Sequence, residues 1–484
     1  TSFNQPLTSF DTKNVTDMSY MFWKATSFNQ PLTNFNTQNV TDMNGMFYGA
    51  TSFNQPLDSF KINAVTYMPD MLKGCGMSCE NLSTTLDSWK TQAATLNKNS
   101  IILGTLNADQ YYNQTGQAAI NTLTTAPLNW AITGGTYVAD CLTPDSWFIT
   151  VWDLTKPTNR TNDNPTSTIA FPGIGSGYTL YWEDADNPTP PGKHGTVTVT
   201  TSPYYLPVPA GTTKVRIKVH KGSGTFSAID HSFGQIDPNR LIAVEQWGTT
   251  QWATMYYAFY GCENMDVTAT DVPNLTNVTS MEKMFSGCRK LKNTNGSMAG
   301  WNTQNVTNMS FLFNEASSFN QSLNSWNTAN VTNMHEMFDH ATSFNQPLTN
   351  FNTQNVTDMG GMFYGATSFN QPLTNFDTKN VTDMSSMFQE ATSFNQLLTS
   401  FNTKNVTNMG GMFYGATSFN QPLTNFNTQN VIAMSYMFQE ATSFNQPLTN
   451  FNTQNVTTMS CMFYRATSFN QPLTSFDTKN VTDM

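Results

Sequence analysis

Residues 341–365 read ATSFNQPLTNFNTQNVTDMGGMFYG, and this stretch recurs nearly unchanged every 25 residues along much of the chain. A sequence period of 20–50 residues is typical of stacked repeat architectures. One copy is too short to bury its own apolar faces, so neighbouring copies are expected to bury them against each other. Regular copies occupy residues 1–75 and 301–484.

Each copy contains two short patterns. The segment around Leu7 and Phe10 suits one strand, and the segment that follows carries apolar residues at helical spacing, with Asn14 placed as an N-cap. The residues of this helical stripe are Val15, Met18, Met21 and Phe22. We therefore predict a repeat solenoid in which short parallel strands alternate with helical turns.

The period is lost between the two arrays. Residues 76–136 are aperiodic but still apolar, with helical patterns at 82–89 and 117–123, which is what a C-terminal cap of the first array requires. Residues 241–300 are irregular copies and are expected to form an N-terminal cap for the array at 301–484.

Residues 137–240 have a different composition. Short runs rich in β-branched and aromatic residues alternate with loops rich in Gly, Pro, Asn and Asp, a pattern typical of an antiparallel β-sandwich. The predicted strands cover 148–152, 178–182, 196–200 and 214–221. In the last run, strict alternation places Lys214, Arg216 and Lys218 on one face of the strand. This basic face is either exposed to solvent or a contact surface for an acidic glycan or a neighbouring domain.

Residues 467–484 are identical to residues 1–18. This identity predicts that the chain is a window cut from a longer array that ends without its cap, and that neighbouring copies in a tandem chain or filament are its partners.

Bulk composition excludes some functions. The net charge is −10 and only 11 % of residues are charged, which argues against nucleic acid as a partner. No apolar run reaches the roughly 18 residues that a membrane span needs. No Ser/His/Asp set, paired-carboxylate pocket or phosphate loop is evident, so the sequence predicts no enzyme and no cofactor.

Three motifs carry alternative interpretations. Asp184 and Asp186 are oxygen ligands for a candidate calcium site, or simply a solvated acidic loop. Cys262 and Cys288 occupy equivalent places in adjacent copies, as two small buried side chains or as a disulfide between copies. The recurring Asn-Val-Thr is a helix cap, a glycosylation acceptor, or both. We also expect the Asn, Gln and Thr positions to form side-chain ladders along the stack.

Variation within the repeat concentrates in the two dipeptides that flank Met-Phe. Tyr-Gly alternates with Gln-Glu at 364, 389, 414 and 439, which indicates duplication of pairs of copies. Their aromatic members are predicted to face a ligand, and these are Tyr20, Trp23, Tyr48, Tyr364, Tyr414 and Tyr464.

The repeat resembles that of the BspA-like leucine-rich-repeat surface proteins, in the branch with 25-residue Met-Phe copies. The segments 243–248, 258–262 and 284–288 are similar to that family's array start, and 130–135 is similar to its array end. Residues 146–221 are more loosely similar to PKD/Ig-like sandwiches of bacterial surface proteins. The resemblance implies a leucine-rich-repeat-like fold, a secreted or cell-surface location, and no catalytic residues.

The predicted function is a non-enzymatic extracellular surface protein, either an adhesin or a structural stalk or filament. An alternative is a module that binds glycans or host proteins. A minor alternative is a surface that binds ice or crystals, because stacked copies present regular Thr ladders.

Overall fold

A computed structural model describes residues 3–137, 146–158, 168–187, 194–222, 224–232 and 236–484. The chain divides into two compact units, Thr1–Asp145 and Ser146–Met484, and each has its own hydrophobic core. Among the described residues, no helix is both long enough and apolar enough to cross a membrane.

The first unit follows its three repeats with two helices and two strands. These elements are α1 (Cys79–Leu96), β1 (Ile102–Tyr112), α2 (Gln114–Thr124) and β2 (Ala131–Tyr137). The strands β1 and β2 pair in parallel, and the two helices pack on each other. Ser78 caps α1 by accepting a hydrogen bond from the Asn81 backbone N–H, and Cys79 is disulfide-bonded. Both predicted helical segments are confirmed.

The second unit begins with strands. They are β3 (Phe148–Asp153), β4 (Thr168–Phe171), β5 (Gly173–Ser176), β6 (Tyr178–Asp184), β7 (His194–Val199), β8 (Tyr204–Pro207), β9 (Lys214–His220), β10 (Thr225–Ile229), β11 (Leu241–Gln246) and β12 (Asp266–Val267). Six form one sheet in the order β12-β11-β3-β9-β6-β7, antiparallel except between β11 and β12. One short 3-10 helix, Pro238–Arg240, lies between β10 and β11, and another, Ser297–Gly300, follows β12.

The predicted antiparallel β-sandwich is wrong. In the described part of this region, β4 pairs only with β8 and β5 only with β10, so these strands do not join into a second sheet. The six-stranded sheet also continues past residue 240, because β11 pairs with β3 on one side and with β12 on the other. The four predicted strands themselves are confirmed within about two residues.

The basic side chains on one face of β9 form ion pairs with carboxylates of other strands in the same sheet. Arg216 donates from Nε to Glu245 at 2.7 Å and from Nη1 to Glu183 at 3.1 Å, and Lys218 contacts Glu183 at 3.1 Å. Val215, Ile217 and Val219 fill the opposite, buried face. The predicted alternation is correct, and Arg216 and Lys218 form ion pairs with Glu183 of the adjacent strand β6 and, for Arg216, with Glu245 of β11, two strands away.

The predicted leucine-rich-repeat-like solenoid of strands and helical turns is wrong. Across 301–484, all of which is described, each copy contains turns and a single isolated bridge residue, with no helix and no longer strand. The described residues instead form several small sheets, none of them closed, and two α-helices that lie outside the repeats. The apolar residues with helical spacing, such as Val15, Met18, Met21 and Phe22, lie on consecutive turns and not on a helix.

Neighbouring copies are nevertheless joined by a parallel bridge at one fixed position. The bridges run through Asp358, Asp383 and Asn408 in successive copies. At most copies the bridging side chain also stabilises the turn that follows. The Asp358 carboxylate, for example, accepts a hydrogen bond from the Gly360 N–H at 2.9 Å.

Phenylalanine rings form the core of the stacked copies. The centre of the Phe388 ring lies 4.0 Å from that of Phe394, six residues further along the chain, and 5.8 Å from those of Phe363 and Phe413, its equivalents in the copies on either side. All of these rings are fully buried. Burial of apolar rings between copies supplies the main stabilisation that a single copy lacks.

The unvarying polar residues join the copies through side-chain ladders, as predicted. Thr403 is buried, donates to the Asn427 carbonyl at 2.9 Å and accepts from the Asn427 N–H at 2.8 Å.

Asn405, in an Asn-Val-Thr motif, donates from its amide to the Lys379 carbonyl of the preceding copy at 2.7 Å. This asparagine does not cap a helix. Its amide nitrogen, the atom that glycosylation would modify, is used between copies.

Candidate functional site

Every repeat places two residues in the left-handed backbone region, four positions apart. We call these sets the first and the second left-handed column. The first column comprises Tyr20, Gly45, Asp70, Tyr257, Lys283, Phe311, Glu336, Gly361, Ser386, Gly411, Tyr436 and Cys461. The second column comprises Lys24, Gly49, Gly74, Gly261, Gly287, Glu315, His340, Gly365, Glu390, Gly415, Glu440 and Arg465. Each column position is the second residue of a variable dipeptide.

Hydrogen bonds to the next copy accompany this conformation. The Ser386 N–H donates to the Gly410 carbonyl at 2.8 Å, and the Gly411 N–H donates to the Ser435 carbonyl at 2.8 Å. In the second column the Gly415 N–H donates to the Gln439 carbonyl at 2.7 Å. The variable dipeptides are therefore fixed in backbone and free to differ in side chain.

The columns also explain where glycine is needed. A Cβ on Gly361 would lie 2.7 Å from Glu336 Cγ of the preceding copy, and a Cβ on Gly365 would lie 2.9 Å from His340 Cδ2. A large side chain in one copy thus covers the same position in the next copy. This contact gives a packing reason for the alternation of Tyr-Gly with Gln-Glu.

The six aromatic residues predicted to face a ligand lie in or beside these columns. Tyr20, Trp23 and Tyr464 are about half exposed, whereas Tyr48, Tyr364 and Tyr414 are partly buried. The rings of Trp23 and Tyr48 stack at 6.2 Å, and Lys24 Nζ lies 4.5 Å from the Trp23 ring centre.

An aromatic cluster in the irregular copies at 241–300 was not predicted from the sequence. Tyr256, Tyr257 and Tyr260 contact one another, with ring centres 4.4 and 5.0 Å apart. Lys283 donates to the Tyr257 hydroxyl at 2.8 Å, and this hydrogen bond raises the pKa of Lys283. The sequence did contain a signal, because these tyrosines stand directly before and after Ala-Phe, at the positions of the variable dipeptides. The irregular spacing of this copy made its alignment with the regular copies hard to recognise.

An ion-pair network lies in the copies around residues 335–358. The His335 ring contacts Asp358 at 3.2 Å and Glu336 at 3.3 Å, and the hydrogen bond with Asp358 is the main cause that raises the His335 pKa to about 10. Burial raises the pKa of Asp339 to about 6, although its carboxylate contacts His340 and accepts from Asn314. His335 is therefore a cation at neutral pH.

The two candidate calcium ligands are not brought together as a metal site. Asp184 is buried at the end of β6 and accepts from the Asp186 N–H at 3.1 Å. Asp186 accepts from Thr213 at 2.7 Å and contacts Lys214 at 3.4 Å. Within the described ranges, no group of three or more His, Cys, Asp or Glu side chains could hold a metal ion.

Cys262 and Cys288 are buried thiols with no disulfide between them. Cys288 Sγ donates to the Phe259 carbonyl at 3.1 Å, and burial raises the pKa of both thiols. They pack as small side chains between adjacent copies, which is the first of the two interpretations of the sequence.

The repeats match one family model, described as "Mycoplasma protein of unknown function, DUF285". The match covers residues 1–112, 228–328, 280–401 and 394–484, well over half of the chain. The chain belongs to this family. Neither the curated proteins nor the solved structures contain a significant match. The family places the repeats in a known group and leaves their activity open.

Proposed function

We propose that this DUF285 protein is a non-enzymatic surface protein that displays binding side chains on a repeated frame, as an adhesin or a stalk does. The observation that carries the proposal is the pair of left-handed columns. They hold the variable side chains at fixed positions, while ring stacking and amide ladders between copies use the unvarying residues.

The chemistry of the columns favours binding over catalysis. Exposed Tyr20 and Tyr436 lie in the first column, and exposed Trp23 and Tyr464 lie directly before residues of the second column. Aromatic side chains of this kind are enriched at binding surfaces. The titratable groups that do cluster, such as His335 with Asp358, are paired with each other.

The resemblance of the 25-residue Met-Phe repeat to BspA-like surface proteins supports an extracellular location. Under this proposal, glycans or host surface proteins are the ligands, and neighbouring copies in a tandem chain or filament extend the display. Nucleic acid is a poor partner for a chain of net charge −10.

Antibody labelling of cells that naturally produce the protein tests the location. Antibodies raised against residues 301–484 should label intact and permeabilised cells equally, and protease added outside should remove the signal. Labelling that appears only after permeabilisation would reject the proposal. Beads coated with the full chain should then adhere to a host-cell layer more than beads coated with albumin.

A further inference from the structure

A cleft of about 510 Å³ lies over Gly410 and Gly411 in the second unit. It spans three consecutive copies, and the middle copy contributes two glycines in place of side chains. Among the residues that line it are Ser385, Ser386, Gln389, Tyr414, Tyr436 and Gln439. Its volume falls within the range of small-molecule sites in proteins.

A second copy of the same sequence shows why this cleft is open. Residues 359–376 are identical to residues 409–426, so Gly360 and Gly361 correspond to Gly410 and Gly411. Over the former pair, His335 and Glu336 of the preceding copy approach to 3.0 and 2.7 Å from the added Cβ positions. Over the latter pair, the preceding copy carries two short serines. Whether the glycine pair lies open therefore depends on the size of the side chains in the preceding copy.

The lining of the cleft is neutral and rich in hydrogen-bonding groups. It offers two serine hydroxyls, the amides of Gln389 and Gln439, and two tyrosine rings, of which Tyr436 is 47 % exposed. Gln439 Oε1 is buried and accepts no hydrogen bond from any described residue. A buried amide oxygen without a hydrogen-bond donor favours a ligand whose hydroxyl group can donate a hydrogen bond to it.

We propose that this cleft binds a neutral saccharide of one or two rings. A sugar ring presents an apolar C–H face that can pack on Tyr436, and hydroxyls that can donate to Gln439 Oε1. Ser385 Oγ donates to Asp383 and can accept from a sugar hydroxyl, whereas Ser386 can donate or accept. Phosphates and carboxylates find no cationic partner among the lining residues, and metal ions find no carboxylate there. This inference rests on the proposed binding function and names its ligand class and site.

Calorimetric titration of the full chain with a panel of neutral mono- and disaccharides tests the site. We expect one member to bind with one site per chain, and Tyr436→Ala to weaken that binding at least tenfold. The double variant S385H/S386E copies the side chains that cover Gly360 and Gly361, so it should abolish binding. Those side chains already occur at the same repeat positions, with the same left-handed backbone at Glu336 and Ser386, and circular dichroism should show an unchanged fold.

Lys404→Ala is the control, because Lys404 is exposed in the same copy as Gly410 but does not line the cleft, so this change should leave saccharide binding unchanged. No binding by any neutral saccharide would overturn the site, as would binding that persists in S385H/S386E. If the chain-coated beads still adhere to cells in that case, the proposed function survives without this site. If adhesion is also absent, both proposals fail.

Discussion

The six-stranded sheet and the repeats of 301–484 join their neighbours in different ways. In the sheet, β3 and β9 pair through six consecutive residues, so the backbone itself forms the connection. Between repeats, one bridge position and a few turn N–H groups connect the backbones, and Thr, Asn and Gln side chains supply much of the rest. The pairing of strands in the sheet therefore does not depend on polar side chains, whereas many polar residues of the repeat are structural.

The largest expected effect separates the repeats from the sheet within the core that they share. Phe388→Ala removes a fully buried ring that contacts rings in both adjacent copies, and it should cost about 3–5 kcal/mol. Because each copy depends on its neighbours, urea unfolding should split into an early transition for the repeats and a later one for the sheet.

Urea titration of this variant, followed by tryptophan fluorescence and by amide exchange of the repeats, measures both transitions. Ser386→Ala, in the adjacent variable dipeptide, is the control and should leave both transitions in place. A single transition within about 1 kcal/mol of the parent chain would contradict the comparison.

Two histidines should give the sheet and the repeats opposite responses to pH. His231, beside the sheet, is buried with Nδ1 2.6 Å from the Ala258 carbonyl oxygen, and burial lowers its pKa to about 4. The unfolded chain takes up this proton near pH 6.5, so stability falls as pH drops from 6.5 towards 4. The loss is on the order of 3 kcal/mol at about 1.4 kcal/mol per pKa unit.

His335, in the repeats, has a pKa raised to about 10, so its contribution is complete below pH 6.5 and declines as pH rises towards 10. Stability against pH, measured for the parent chain, His231→Gln and His335→Gln, checks both signs. His231→Gln should flatten the acid side alone, and His335→Gln the alkaline side alone. Identical profiles for all three chains would refute the assignment.

The smallest effect concerns the polar ladders. Thr403→Val keeps the shape of a buried side chain but leaves the Asn427 N–H and carbonyl without their partner, at a cost of about 1–3 kcal/mol. Thr179→Val in β6 is the matched change, because Thr179 pairs through its backbone with Thr198 and His220. It should stay within about 0.5 kcal/mol of the parent in urea titration. Equal costs at the two threonines would show that the ladders are not structural.

The same contrast explains how far the sequence predicts the fold. Alternation of period two identifies strands such as β9 and β6, because each residue's own side chain reports its face. In the repeat, the stripe from Val15 to Phe22 has helical spacing, yet Tyr20 and Lys24 are left-handed and interrupt any helix. Tyrosine and lysine carry no signal for this conformation. Gly45 and Gly49, one copy later, were the readable signal.

The candidate site was predictable only in part. Variation among copies correctly directs attention to the dipeptides that form the columns. The cleft over Gly410 and Gly411 depends on the preceding copy, because the identical stretch at 359–376 is covered. A pattern within one copy cannot describe a cavity whose walls come from three.

The bonds between copies also constrain how the gene can change length. Each ladder in the regular array joins positions a fixed 24–27 residues apart, such as Thr403 to Asn427 and Asn405 to Lys379. Removing or inserting one whole unit of 25 codons within that array rejoins equivalent atoms, whereas a change of one codon misaligns every rung beyond it. Recombination between near-identical units would therefore shorten or lengthen the array while preserving the alignment of its copies. At each new junction, the side chains of the preceding copy would determine whether the next glycine pair is covered or open.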